Sequence, residues 1–212
     1  MADMVKRQYA SPVREESARR TRQAIVAAAA ELFVAHGYAG TSLADVALAA
    51  GVARPTVTAA TGSKPALLKL VLDQALAGDD DPVPVADRPW FRPVWDARSP
   101  GEALDAYAAV CTLIGGRAGP VFEVVRRSAD SSPELADLWR TLQNNRKAGA
   151  RMVILHAQAL GPLALETTPA IDVLWLLNDP AHHLALVTEQ GWSPDAYQEW
   201  LAATMRKSLL PE

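Results

Sequence analysis

Arg19, Arg20 and Arg22, followed by Ser42, Arg54, Thr56, Thr58 and Lys64, carry the most informative chemistry in this sequence. Guanidinium and ammonium groups pair with phosphate oxygens. Arg54 also offers a fork that fits a guanine edge, and Thr56 and Thr58 can each donate one hydrogen bond or lay a methyl on thymine. Ser42, with Asp45 three residues on, has the spacing of a capping box and would present its hydroxyl at a helix N-terminus, where phosphates are held. Residues 1–64 contain eight Lys/Arg against five Asp/Glu, net +3, while the remainder contains 13 against 19, net −6. The overall charge of −3 therefore hides a basic end on an acidic body, an asymmetry suited to a polyanionic partner.

Catalytic constellations are not found. There is no G-x-S-x-G elbow, no phosphate-binding glycine loop and no H-E-x-x-H. Cys111, the single cysteine, cannot form an internal disulfide and sits in an apolar helical stretch, where a thiol is inert packing. His182 and His183 project about 100° apart on a helix, a poor geometry for one metal. The expectation is a non-enzyme without cofactor or metal. The first twenty residues lack an apolar stretch with a cleavage site, and no uninterrupted apolar run reads as long enough to cross a bilayer, so the expected location is the cytoplasm and no membrane partner is expected.

The elements that position these residues read as helices. Residues 1–14 read as a disordered basic arm. From about Ser17, Ile25, Ala29, Leu32 and Phe33 share one apolar face, and His36-Gly37 supplies a stop. In "TSLADVALAAGVARPTVTAAT" a helix starts at Ser42, ends at Gly51, and a second begins near Arg54-Pro55. Ala47 is small enough for a close crossing, and Val46, Ala50, Val52, Val57 and Ala60 should be buried between the helices. Two short helices joined by a glycine turn are a helix-turn-helix. Ser63 then caps a fourth helix, with Pro65 in its first turn and an apolar stripe of Leu67, Leu68, Val71, Leu72 and Ala75. The expected domains are 15–64, binding DNA, and 65–212, binding an effector and dimerising.

In the second domain, residues 82–100 contain five prolines and read as an ordered crossing rather than a helix. Helical pattern returns over 101–114, about 120–130, 133–160, 169–190 with a break at Pro180, and 194–210. "IGGRAGP" at 114–120 reads as a helix end and turn. No alternating strand pattern occurs, so the expected fold is all-α. Trp95, Tyr107, Cys111, Phe122, Trp139, Arg146 and Trp175 are candidates to line an apolar effector site, with Arg146 orienting a polar or anionic group. His156 is a further candidate of that kind. Trp175, Leu184, Tyr197, Trp200, Leu201 and Met205 are candidates for a dimer seam.

The stretch "TRQAIVAAAAELFVAHGYAGTSLADVALAAGVARPTVTAATGSKPALLKLVL" resembles the TetR family of bacterial regulators, in its "ELFxxxGY" helix end, its "TSLADVA" helix, its "AGV" turn and its "SKPALL" fourth-helix start. The terminal segment from Ile171 to Leu210 is similar to the helix pair that usually forms the family's four-helix dimer interface. The resemblance implies a homodimer on a palindromic operator in double-stranded DNA, acting as a repressor and released by a small apolar or amphipathic effector. One departure stands out: the family's phosphate-contacting Tyr and the aromatic packed behind it correspond here to Thr58 and Thr61. Affinity should then lean on Arg19, Arg20, Arg22 and Lys64. A helical ligand-binding dimer on the same frame, with weakened or lost operator recognition, is the second reading.

Overall fold

Alanine has the highest helix propensity of the amino acids, and the alanine-rich stretch around Ala27–Ala30 lies within one long helix. In the computed structural model of the chain, which describes residues 12–211, that helix is α1 (Pro12–His36). It begins before the expected Ser17: residues 1–11 of the expected arm lie outside the described residues, and Pro12, Val13 and Arg14 already form the first turn of α1. The chain divides into two units, Met1–Val71 and Leu72–Glu212.

In the first unit α1 is followed by α2 (Leu43–Ala49), α3 (Arg54–Thr61) and the start of α4 (Lys64–Ala77), which runs on through the division between the units. α1, α2 and α3 pack on one another. Ile25, Ala29, Phe33, Val46 and Val57 are wholly buried, so the predicted apolar face of α1 does supply the core.

The second unit is also helical. The acidic run after α4 and the proline-rich crossing are ordered around Arg88, whose buried guanidinium pairs with Asp79 and donates to the carbonyls of Val83 and Asp81. The crossing contains two single 3₁₀ turns and the short α5 (Arg92–Trp95), so it is more helical than its prolines imply. Then come α6 (Pro100–Ser128), α7 (Pro133–Leu160), α8 (Thr167–Leu177), α9 (Pro180–His183) with a π-helical turn at Leu184–Glu189, and α10 (Pro194–Leu209). α6 is central: it packs against α5, α7, α9 and α10, while α8 lies on α7. By length and composition α6 could span a membrane, contrary to the sequence reading, but half of its most apolar window is buried inside this unit, as in a core helix.

Two sequence expectations for this unit are corrected. The first concerns 114–120, which is the middle of α6 and not a turn. A β-carbon on Gly115 would fall 2.6 Å from the His183 β-carbon, so the glycine gives α9 room to approach α6. Pro120 sits inside the same helix, withdrawing the amide that would bond the carbonyl four residues back. The second concerns α10. Tyr197, Leu201 and Met205 are buried in the core of this unit, in one cluster with Leu104, Ile154 and Leu174, so their side chains have no surface left for a dimer seam. Among the described residues there is no strand, as the all-α reading requires.

Candidate nucleic-acid interface

The helix-turn-helix is assembled by local signals. Ser42 accepts a hydrogen bond from the Asp45 amide (3.2 Å) while the Ser42 amide donates to the Asp45 carboxylate (2.9 Å), the complete capping box. Just before it, the buried Thr41 hydroxyl is shared between the carbonyls of Leu32 and Gly37, tying the end of α1 to the start of α2. Gly51, at φ 66°, reverses the chain, and the Val52 amide returns to the Ala47 carbonyl at 3.0 Å. A β-carbon at φ near +66° is strained, so glycine is the residue this turn requires. α3 then starts with Arg54-Pro55, where the missing proline amide costs nothing.

Of the five residues expected between the helices, Val46 and Val57 are buried, whereas Ala50, Val52 and Ala60 are half-buried. Thr61, at the place of the family's packing aromatic, is buried too and donates its hydroxyl to the Val57 carbonyl at 2.9 Å. The opposite face of α3 is exposed at Arg54, Pro55, Thr58 and Ala59, with Thr56 half-buried at its edge. Arg54 and Thr58 thus share an accessible strip; Pro55 and Ala59, not singled out from sequence, complete it. The i, i+3, i+4 spacing of Pro55, Thr58 and Ala59 on a helix beginning at Arg54 is the available signal.

The other expected contacts fare unequally. Arg19, Arg20 and Arg22 are exposed on the first half of α1, with Arg20 paired to Glu16 at 2.9 Å. Lys64 stands 4.1 Å from the centre of the Tyr38 ring, a cation–π contact that fixes its direction. Partial burial lowers the Lys64 pKa, and the charge of Asp45 opposes that shift. Ser42 is exposed at the N-cap of α2. Its hydroxyl donates to the Asp45 carboxylate (2.7 Å), whose pKa is held low chiefly by hydrogen bonds from Ser42.

In the second unit most of the predicted effector residues join one network. Arg146 donates to Gln143 (2.6 Å), to the Trp175 carbonyl (2.9 Å) and to Asn178 (2.9 Å), and pairs with Asp179 at 3.1 Å. Its guanidinium lies over the rings of Phe122 and Trp175, and Phe122 meets Trp139 edge-on at 5.2 Å. Asn178 in turn donates to the Tyr107 hydroxyl at 3.0 Å. Burial raises the Tyr107 pKa and pushes the nearby Cys111 thiol up to about 12, which keeps both protonated. Trp95 stands apart, with its indole N–H on the Ala86 carbonyl and its ring edge-on to His156. Arg146 Nε, Trp175 Nε1 and His156 Nε2 are buried and find no hydrogen-bond partner among the described residues. Of the dimer candidates outside the core, Leu184 and Trp200 are half-buried. An open depression of about 260 Å³ between α7 and α8, bordered by Lys147, Arg151 and Asp172, contains none of the predicted effector residues.

The sequence model of the family described as bacterial regulatory proteins, tetR family, matches residues 25–71, the segment that contains the helix-turn-helix. Among curated proteins none matches the sequence. Solved structures share the fold. A candidate transcriptional regulator from Saccharomonospora viridis, in complex with choline, superposes with a TM-score of 0.70 at 18% identity, covering 93% of this chain and all of that one. A TetR transcriptional regulator from Chloroflexus aurantiacus gives a TM-score of 0.67 at 20% identity over 92% of this chain and 98% of that one. A candidate TetR-family regulator from a Rhodococcus species gives 0.67 at 17% over 89% and 98%. At these identities the likeness is one of fold. The segment 25–71 thus matches the DNA-binding domain of the bacterial regulatory proteins, tetR family, and the chain as a whole shares its fold with solved TetR-family regulators.

Proposed function

We propose that this chain is a cytoplasmic, ligand-responsive repressor that binds a palindromic operator as a homodimer. The observation that carries this reading is the exposed strip on α3, held by a capped helix and a glycine turn within the segment that matches the family. Recognition helices lie in the major groove and read with their N-terminal residues. Arg54 and Thr58 occupy those places; Arg19, Arg20, Arg22 and Lys64 supply phosphate contacts. A helix with one charged reading group binds weakly alone, which favours two copies on two half-sites.

The dimer seam falls on α7 and α8. Ala148, Met152, Leu155 and Ala159 follow an i, i+4, i+7, i+11 pattern on α7 and are all exposed, and Leu176 on α8 is 58% exposed. An outward apolar stripe at heptad spacing is the signature of a helix-on-helix seam. The α10 stripe is already spent in the core.

The effector reading rests on the Arg146 network. Buried polar atoms almost always have a partner, and two of the orphaned nitrogens, Arg146 Nε and Trp175 Nε1, belong to this one cluster. Both are donors, so an amphipathic effector with an acceptor oxygen suits them. A quaternary ammonium such as the choline held by the Saccharomonospora protein fits less well, because the Arg146 cation already lies over Phe122 and Trp175. The signal has a route: Arg117 on α6 reaches the Ala77 carbonyl at the end of α4 and stacks over Trp90. An effector that binds one setting of this grip better than another shifts α4 and, with it, half-site spacing.

Footprinting of the purified protein on DNA flanking its own gene tests the proposal. Two protected half-sites about 10 base pairs apart, or a small multiple of that, are expected. Protection of one unpaired half-site, or of none, overturns it.

A further inference from the structure

The exposed strip of α3 is poor in hydrogen-bonding groups, and this bears on which bases it reads. Among Arg54, Pro55, Thr58 and Ala59 only Arg54 is charged, and beyond it only Thr58 has a polar side-chain atom. α3 ends at Thr61, with Gly62 as its C-cap, so no large side chain extends the strip. What it offers the groove is a pyrrolidine ring, a threonine methyl and an alanine methyl.

The major groove displays one apolar group, the thymine 5-methyl; guanine, adenine and cytosine present donors and acceptors. A donor or acceptor pressed against a methyl loses its water without gaining a partner, and is penalised for it. A thymine methyl in the same place gains contact. We propose that this protein selects its operator through thymine methyls packed against Pro55, Thr58 and Ala59, with Arg54 making the one charged contact of the strip. The inference rests on the DNA-binding reading above. Residues three or four apart on a helix are separated by about 5 Å along its axis, so the methyls lie on neighbouring base pairs, a short thymine-bearing step in each half-site.

The experiment enriches duplexes from a random-sequence pool with the full chain, then replaces single thymines in the enriched duplexes by deoxyuridine, which lacks only the methyl. Enriched half-sites should carry thymines on neighbouring base pairs. Each deoxyuridine at a contacted position should weaken binding about fourfold, the value of one buried methyl, while replacements outside the half-sites change nothing. Thr58→Ser keeps the hydroxyl and removes the methyl at an exposed position, so it leaves the fold intact. In that variant the penalty at one thymine should nearly vanish, the coupling a double-mutant cycle detects. Deoxyuridine duplexes that bind as well as the originals, or penalties that simply add in both Thr58→Ser and Ala59→Gly, overturn the inference and leave DNA binding in place. Enrichment of no duplex at all overturns the DNA-binding reading and the inference with it.

Discussion

α3 exposes Arg54, Pro55, Thr58 and Ala59 with a single charge among them, whereas the junction of α7 with α8 gathers Arg146, Asn178, Asp179 and Tyr107 into one connected set. The first group touches little of its own protein. The second holds helices together: Arg146, its side chain only 10% exposed, donates to the Trp175 carbonyl near the C-terminus of α8, where a cation also suits the helix dipole. The difference teaches where substitutions act. Side chains with no structural duty can be changed at the cost of binding alone, while the network cannot be changed without cost to the fold.

The largest effect should come from Arg146→Met. It leaves Asp179 without its cation and the Asn178 and Trp175 carbonyls without donors, at a cost of about 3 kcal/mol. In a chain of this size that is a fall in Tm of roughly 6–12 °C. A melting curve equal to that of the parent would show that the network is not a support. Next is Gly115→Ala, which drives a methyl into His183 and should cost about 1–3 kcal/mol by denaturant unfolding. Gly149→Ala in α7, with nothing within 4 Å of the added carbon, is its control and should stabilise by about 0.5–1 kcal/mol.

On the other side of the comparison, Arg54→Ala should leave Tm unchanged and weaken operator binding about tenfold. Loss of stability in that variant would break the contrast. The smallest effect concerns pH. Burial lowers the His183 pKa below its ordinary 6.5, so the unfolded chain binds the proton more readily. Stability should therefore be full above pH 6.5 and decline as pH falls below it, with a shallower decline in His183→Gln.

How much was legible in the sequence follows the same division. The helix-turn-helix is written within twenty residues: the Ser42–Asp45 box, the Gly51 turn and the Arg54-Pro55 start are each local signals, and each is found in the structure. The core of the second unit depends on distant partners. Glycines at 115 and 116 read as a helix end because glycine punctuates helices, yet Gly115 answers to His183 on another helix. The apolar period of α10 announces burial but not against what: Tyr197, Leu201 and Met205, expected at a dimer seam, lie in the core of their own unit. Ser42 and Asp45 are legible together as a capping box, whereas the hydrogen bond from the Ser42 hydroxyl to the Asp45 carboxylate shows only in the structure. Tyr38, which directs Lys64, carried no signal beyond its place after Gly37.

The most direct test of the central claim is the affinity of the purified chain for DNA flanking its own gene, measured across a salt series from about 50 to 200 mM. A regulator whose phosphate contacts come from Arg19, Arg20, Arg22 and Lys64 in two copies should retain specific fragments at low salt and lose affinity steeply along the series. Absence of specific retention, with no salt-dependent binding to any duplex, would contradict the account and leave a ligand-binding dimer on a TetR frame.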